Sequence, residues 1–107
     1  MGNYYDTLLE CKSNKQFLHK IDPRDIIKTT ESEFISCKDG IYYFQTHCGA
    51  LHPDIVELSK KHPDEVFTAR IWNVDFYDSI ILSLEYKDGD VKILSSKPNY
   101  TYCATHL

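Results

Sequence analysis

The chain has no apolar run approaching the roughly 20 residues that a membrane-spanning helix needs. Arginine is scarce: Arg24 and Arg70 are the only two. Acidic residues outnumber Lys and Arg by 16 to 12, giving a formal net charge of −4. Affinity for nucleic acid comes largely from neutralising phosphates, so this balance argues against a nucleic-acid-binding module. Lys60-Lys61 is the only basic pair, and it falls near the end of an expected helix, where cations suit the dipole. Of the four glycines none stands in G-x-G spacing, which argues against a phosphate-cradling loop and a nucleotide cofactor. The opening Met1-Gly2-Asn3-Tyr4-Tyr5-Asp6 has neither the basic nor the apolar region of a signal peptide. Asp6 also stands where a myristoylation signal wants Ser or Thr. The expectation is a cytoplasmic protein in which Cys11, Cys37, Cys48 and Cys103 are reduced.

What is present suits a single domain over residues 1–107, with 42% apolar and 26% charged residues. Eight Tyr, five Phe and one Trp supply large rings for a core. The segment from Asn3 to Cys11 reads as a strand with Tyr5, Thr7, Leu9 and Cys11 on one face. Ser13 or Asn14 can cap a short helix carrying Phe17, Leu18 and Ile21. Asp22-Pro23-Arg24-Asp25 starts a second one, with a capping side chain followed by Pro at the first helical position.

Lys38-Asp39-Gly40 separates strand-like runs at Glu33–Cys37 and Ile41–Thr46. The tripeptide recurs at Lys87-Asp88-Gly89, between Ser79–Tyr86 and Asp90–Leu94. Asp-Gly supplies the positive-φ positions of a tight hairpin. Between the hairpins, residues 52–62 form the best helix: Pro53 opens it, Leu51, Ile55 and Leu58 make its apolar stripe, and Pro63 stops it. Glu65 to Asn73 follows as a strand, with Phe67, Ala69 and Ile71 on one face and Val66, Thr68, Arg70 and Trp72 on the other. This order predicts an α+β, ferredoxin-like sandwich, a mostly antiparallel sheet of about four to six strands with helices on one face. The tail from Pro98 to Leu107 is expected to be irregular or an added edge strand.

The run from Tyr42 to Gly89 carries a resemblance. A short aromatic strand (YYFQTHC) leads into a Pro-started helix, then LSKKHPDEVF, then a strand ending in IWNVDFYD and a KDG turn. This resembles the ferredoxin-like domain of YubB-like accessory proteins of phages and plasmids, over about half the chain. The most specific match is Leu58-Ser59-Lys60-Lys61 with Pro63-Asp64 and Phe67. An aromatic-basic pair typical of that family is replaced here by Thr46-His47-Cys48. The resemblance implies a fold and a mobile-element setting, hence a bacterial host cell; it implies no catalytic residues.

Several constellations bear on chemistry. His47, Cys48 and His52 lie close in sequence, and Cys103-x-x-His106 adds two donors, but zinc sites pair short ligand spacings and no C-x-x-C occurs. Loop histidines and small buried thiols are the simpler reading, so neither metal nor cofactor is expected. Cys48 precedes a helix start that could activate it, which makes a small thiol-based enzyme or redox sensor the competing function. His47 cannot readily serve as its base, because adjacent residues on an extended segment face opposite ways.

Trp72, followed by Asp75, Tyr77 and Asp78, is the candidate partner-binding group. An amphipathic ring flanked by acids suits a partner carrying Arg or Lys. Tyr42 and Phe44 are expected to join Trp72 on the sheet face away from the helices, a face also open to self-association as a homodimer. The function expected is therefore a non-catalytic protein-interaction domain of a phage or mobile element. An inhibitor of a host defence system is one specific form, since an acidic protein can occupy a basic channel.

Overall fold

Alternation along the first strand sets the two sides of the molecule. In β1 (Tyr4–Cys11) the side chains of Tyr5, Thr7, Leu9 and Cys11 are buried, while Leu8 and Glu10 on the other face are half-buried. The computed structural model describes residues 4–27, 32–47, 51–73 and 82–96. After β1 come a 3-10 turn (Phe17–Lys20), α1 (Pro23–Ile26), β2 (Ser32–Lys38), β3 (Ile41–His47), α2 (His52–Lys61), β4 (Phe67–Asn73), β5 (Leu82–Lys87) and β6 (Asp90–Ser96). The strands form one sheet in the order β2-β3-β1-β4-β5-β6, antiparallel at every step. The chain is thus α+β with a fully antiparallel six-stranded sheet. Among the described residues no helix is long and apolar enough to cross a membrane. The expected Pro98 to Leu107 tail lies outside the described residues.

Both Lys-Asp-Gly tripeptides form hairpin turns. Asp39 and Gly40 have φ of 54° and 79°, and Asp88 and Gly89 have 47° and 83°, the two successive left-handed residues such a turn needs. A Cβ at Gly40 would stand 2.3 Å from the Lys15 carbonyl oxygen, so no side chain fits there. Each outer strand carries a bulge, at Ile35 in β2 and at Leu94 in β6, which interrupts the regular edge that another chain could extend.

The helical segments and the core share one face of the sheet. Leu18, Ile26, Leu51, Ile55 and Leu58 are buried with Phe44, Phe67, Ala69, Ile71, Leu82, Leu84 and Tyr86. Asp22 caps α1 as its sequence suggests, accepting from the Arg24 N–H at 2.9 Å, and the Arg24 guanidinium at 2.8 Å holds its carboxyl down to about 2. The earlier turn departs from expectation. It is 3-10 rather than α, and its N-cap residue Gln16 makes no side-chain cap bond; of the two expected caps, Asn14 accepts from the Gln16 N–H at 3.1 Å, while Ser13 bonds Glu65 and accepts from the Val66 N–H. Those contacts draw Glu65 and Val66 out of the ladder, so β4 begins at Phe67 rather than Glu65.

Three polar contacts tie the helices to the sheet. The Tyr42 hydroxyl sits between the carbonyls of Leu18 and Ile21, the latter at 2.7 Å. Ser59 on α2 accepts from the Gly89 N–H at 2.9 Å and donates to the Val56 carbonyl at 2.8 Å. The Tyr86 hydroxyl and Nδ1 of His52 share a hydrogen bond at 2.9 Å, in which the hydroxyl donates when that ring nitrogen carries no proton. Burial pushes the Tyr86 phenol up and the His52 imidazole below its ordinary value of 6.5.

Ser59→Ala leaves the Gly89 N–H without this acceptor and is expected to cost about 1–3 kcal/mol, read as a lower urea midpoint at unchanged slope. The His52 shift has a definite sign. Its folded value lies below its unfolded one, so the unfolded chain binds the proton more readily and stability falls as pH drops below about 6.5. The melting temperature is therefore expected to decline between about pH 7.5 and 5, and His52→Gln, which can still accept from Tyr86, should flatten that decline. An unaltered pH profile in the variant would show that His52 is not responsible.

Candidate functional site

Among the described residues no helix packs on the second face of the sheet, and strand register determines which residues meet there. Residues directly opposite in an antiparallel ladder share a face, with Cβ atoms about 4.5–5.5 Å apart. Three rows cross this face. One runs Glu33, Gln45, Asp6, Trp72; the next Ser36, Tyr43, Leu8, Arg70, Ser83, Ser95; the third Glu10, Thr68, Glu85, Lys92. Two shallow grooves lie along it. One of about 400 Å³ is lined by Leu8, Ser36, Lys38, Asp39, Ile41 and Tyr43. The other, about 300 Å³, runs between Glu10, Thr68, Arg70 and Ser83 and is walled by Leu94. Exposed apolar side chains sit toward the sheet edges: Ile93 is 52% exposed and Leu94 47%.

Two ion pairs involve the second and third rows. Arg70 approaches Glu10 at 3.8 Å, and Lys12 reaches Glu85 at 3.2 Å. The first row differs. Asp6 is only 1% exposed, and its Oδ1 finds no hydrogen-bond partner. A carboxylate removed from water without a compensating donor or cation is costly, and such groups are rare in folded chains. The sequence carries a faint signal of it: Asp is disfavoured in strand interiors, and here it interrupts Tyr4-Tyr5-Asp6-Thr7-Leu8-Leu9. Its burial depends on flanking strands that only the fold supplies.

The sequence-based site residues fall as follows. The backbone of Trp72 lies in β4 opposite Asp6, at the register position expected for the helix-free face. Asp75, Tyr77 and Asp78 lie outside the described residues. The expectation that Tyr42 and Phe44 join Trp72 is corrected. Phe44 stands opposite Thr7 and Tyr42 opposite Leu9, so both belong to the core face and are buried there. Tyr43, between them, takes the open face. Three consecutive residues of strand-forming type carry no phase of their own, and pairing with β1 decides it.

Cys48, Cys103 and His106 lie outside the described residues. His52 is committed to Tyr86 through Nδ1. Among the described residues no three His, Cys, Asp or Glu side chains gather as metal ligands. Cys11 is buried, its thiol directed at Glu65 Oε1 at 3.6 Å. Cys37 is exposed, with its sulfur 3.9 Å from Nδ1 of His19, a contact 18 residues apart in sequence that no local pattern announces. Comparison with known protein families, with curated proteins and with solved structures finds no match to this chain.

Proposed function

We propose that this chain is a non-catalytic protein-interaction domain that meets its partner with the helix-free face of the sheet. The observation that carries this reading is the contrast between the faces: among the described residues helices and core cover one, while the other presents two grooves and the half-buried Leu8 and Tyr43. A sheet face with apolar ground and a few fixed polar groups is suited to recognition rather than turnover. The acidic balance of the whole chain favours a partner with a basic surface.

The first four strands and their two helical crossovers, in the order β2-β3-β1-β4, are consistent with a ferredoxin-like unit, to which β5 and β6 add a hairpin at the β4 edge. The resemblance to YubB-like accessory proteins supplies the setting of this reading, a phage or plasmid origin with action in the bacterial cytoplasm. Inhibition of a host defence system is one specific form of this reading, in which the acidic protein occupies a basic channel of the host protein.

The test is Trp72→Ala. Partner capture from a bacterial lysate, quantified for both proteins, should weaken by about 2 kcal/mol or more, the scale of an interface hot spot, while the melting temperature stays nearly constant. Unfolding of the variant, at the roughly 3–5 kcal/mol of a lost core Trp, would assign Trp72 a structural role and remove it from the site.

A further inference from the structure

We infer that Cys37 is a thiol-modification site, at which His19 takes up the thiol proton while the sulfur forms a mixed disulfide with a small-molecule disulfide of the glutathione class. The inference does not depend on the reading of the helix-free face. Cys37 stands opposite Tyr42 in the β2–β3 ladder, on the side of the sheet where Tyr42 meets the 3-10 turn.

Three observations carry it. The Cys37 sulfur lies 3.9 Å from Nδ1 of His19, and both residues are exposed, so a reagent in solution reaches the pair. The fold seats the ring beside the thiol. Tyr42, the ladder neighbour of Cys37, bonds the carbonyls of Leu18 and Ile21, which bracket His19. Gly40, in the turn of the same hairpin, packs against this segment: a Cβ there would stand 3.8 Å from Nε2 of His19. The strand carrying the sulfur and the turn carrying the nitrogen are thus held together by contacts other than the pair itself. The third observation is the contrast with Cys11, whose thiol is fully buried and faces Ser13 and the Glu65 carboxylate instead of an imidazole.

The thiolate, not the thiol, attacks a disulfide, so a base beside the sulfur raises the reactive fraction. With the His19 proton on Nε2, Nδ1 is free to accept the proton of the Cys37 thiol. The Cys37 sulfur then attacks one sulfur of the small disulfide. The new S–S bond forms as the old one breaks, and the departing thiolate leaves with the electron pair and takes the proton back from the imidazolium. Cys37 is oxidised to the mixed disulfide and the departing half is reduced to a thiol, so no other oxidant enters. Excess thiol reverses the product.

The test uses the full chain and oxidised glutathione, with adduct at each cysteine followed over time by acid quenching and peptide mass mapping. Cys37 is expected to react faster in the native chain than in the same chain unfolded in urea, where exposure is complete but His19 is no longer held beside it. A native rate equal to or below the unfolded one would reduce Cys37 to an exposed thiol and overturn the inference. Cys11 should gain adduct only in urea, which reports that the native chain stayed folded. His19→Asn is expected to slow the native reaction at Cys37 by about tenfold or more. An unaltered rate in that variant would overturn the role of the imidazole. Added free imidazole separates loss of a base from a displaced turn: recovery of the rate in His19→Asn supports the inference, and no recovery overturns it.

Discussion

The backbone ladder of β1 holds the two halves of this molecule together. β1 lies at the middle of the sheet order, paired with β3 along one edge and β4 along the other, so each neighbouring strand takes its register from the same eight residues. Because side chains alternate with a period of two, a slip of one residue would carry Asp6 and Glu10 into the core and turn Tyr5, Leu9 and Cys11 outward. Burial of the four odd-numbered side chains thus selects a single register. That register in turn fixes which residue of β3 and of β4 each one meets. The position of Trp72 opposite Asp6 follows from Ile71 packing beside Thr7 on the other face.

The helices attach where the ladder leaves polar groups to be met. Tyr42 brings its hydroxyl to the 3-10 turn, Ser59 holds the second hairpin by the Gly89 N–H, and Tyr86 meets His52 at the start of α2. All three contacts lie on the core side, and each anchors a helical segment that covers apolar rings. The net worth of any one hydrogen bond is modest, about 1 kcal/mol, but leaving a buried group unpaired costs more. The contacts therefore act chiefly to exclude other placements of the helices. They also concentrate the covering elements on one side of the sheet.

Much of this was legible in the residues. The two Asp-Gly turns, the Asp22 cap and the Pro53-started helix each rest on local backbone chemistry, and each is found where the sequence puts it. So is the inward set Phe67, Ala69 and Ile71, because its alternation is unambiguous. The misplaced residues are those whose environment is decided at a distance. Tyr42 and Phe44 take their face from β1, thirty or more positions away in the chain. Ser13 reads as a cap but is claimed by Glu65 and Val66, 52 and 53 residues on. Asp6 is the extreme instance. Its flanking strand-forming residues give only a faint signal, because the residues opposite it, Gln45 and Trp72, arrive on two other strands.

A carboxylate at the centre of the sheet meets a different environment from one on an edge. An edge residue such as Glu33 is exposed, so water weakens any charge pair it makes to a fraction of its interior strength. At the central strand the neighbours exclude water, and the same pair is several times stronger. Both flanking ladders also hold the carboxylate in place. Among the described residues Oδ1 of Asp6 is enclosed without a donor, whereas at Tyr42, Ser59 and Tyr86 the enclosed polar groups find partners. The contrast follows the two faces of the sheet: the polar contacts that anchor helices lie on the core side, and the grooves lie on the other.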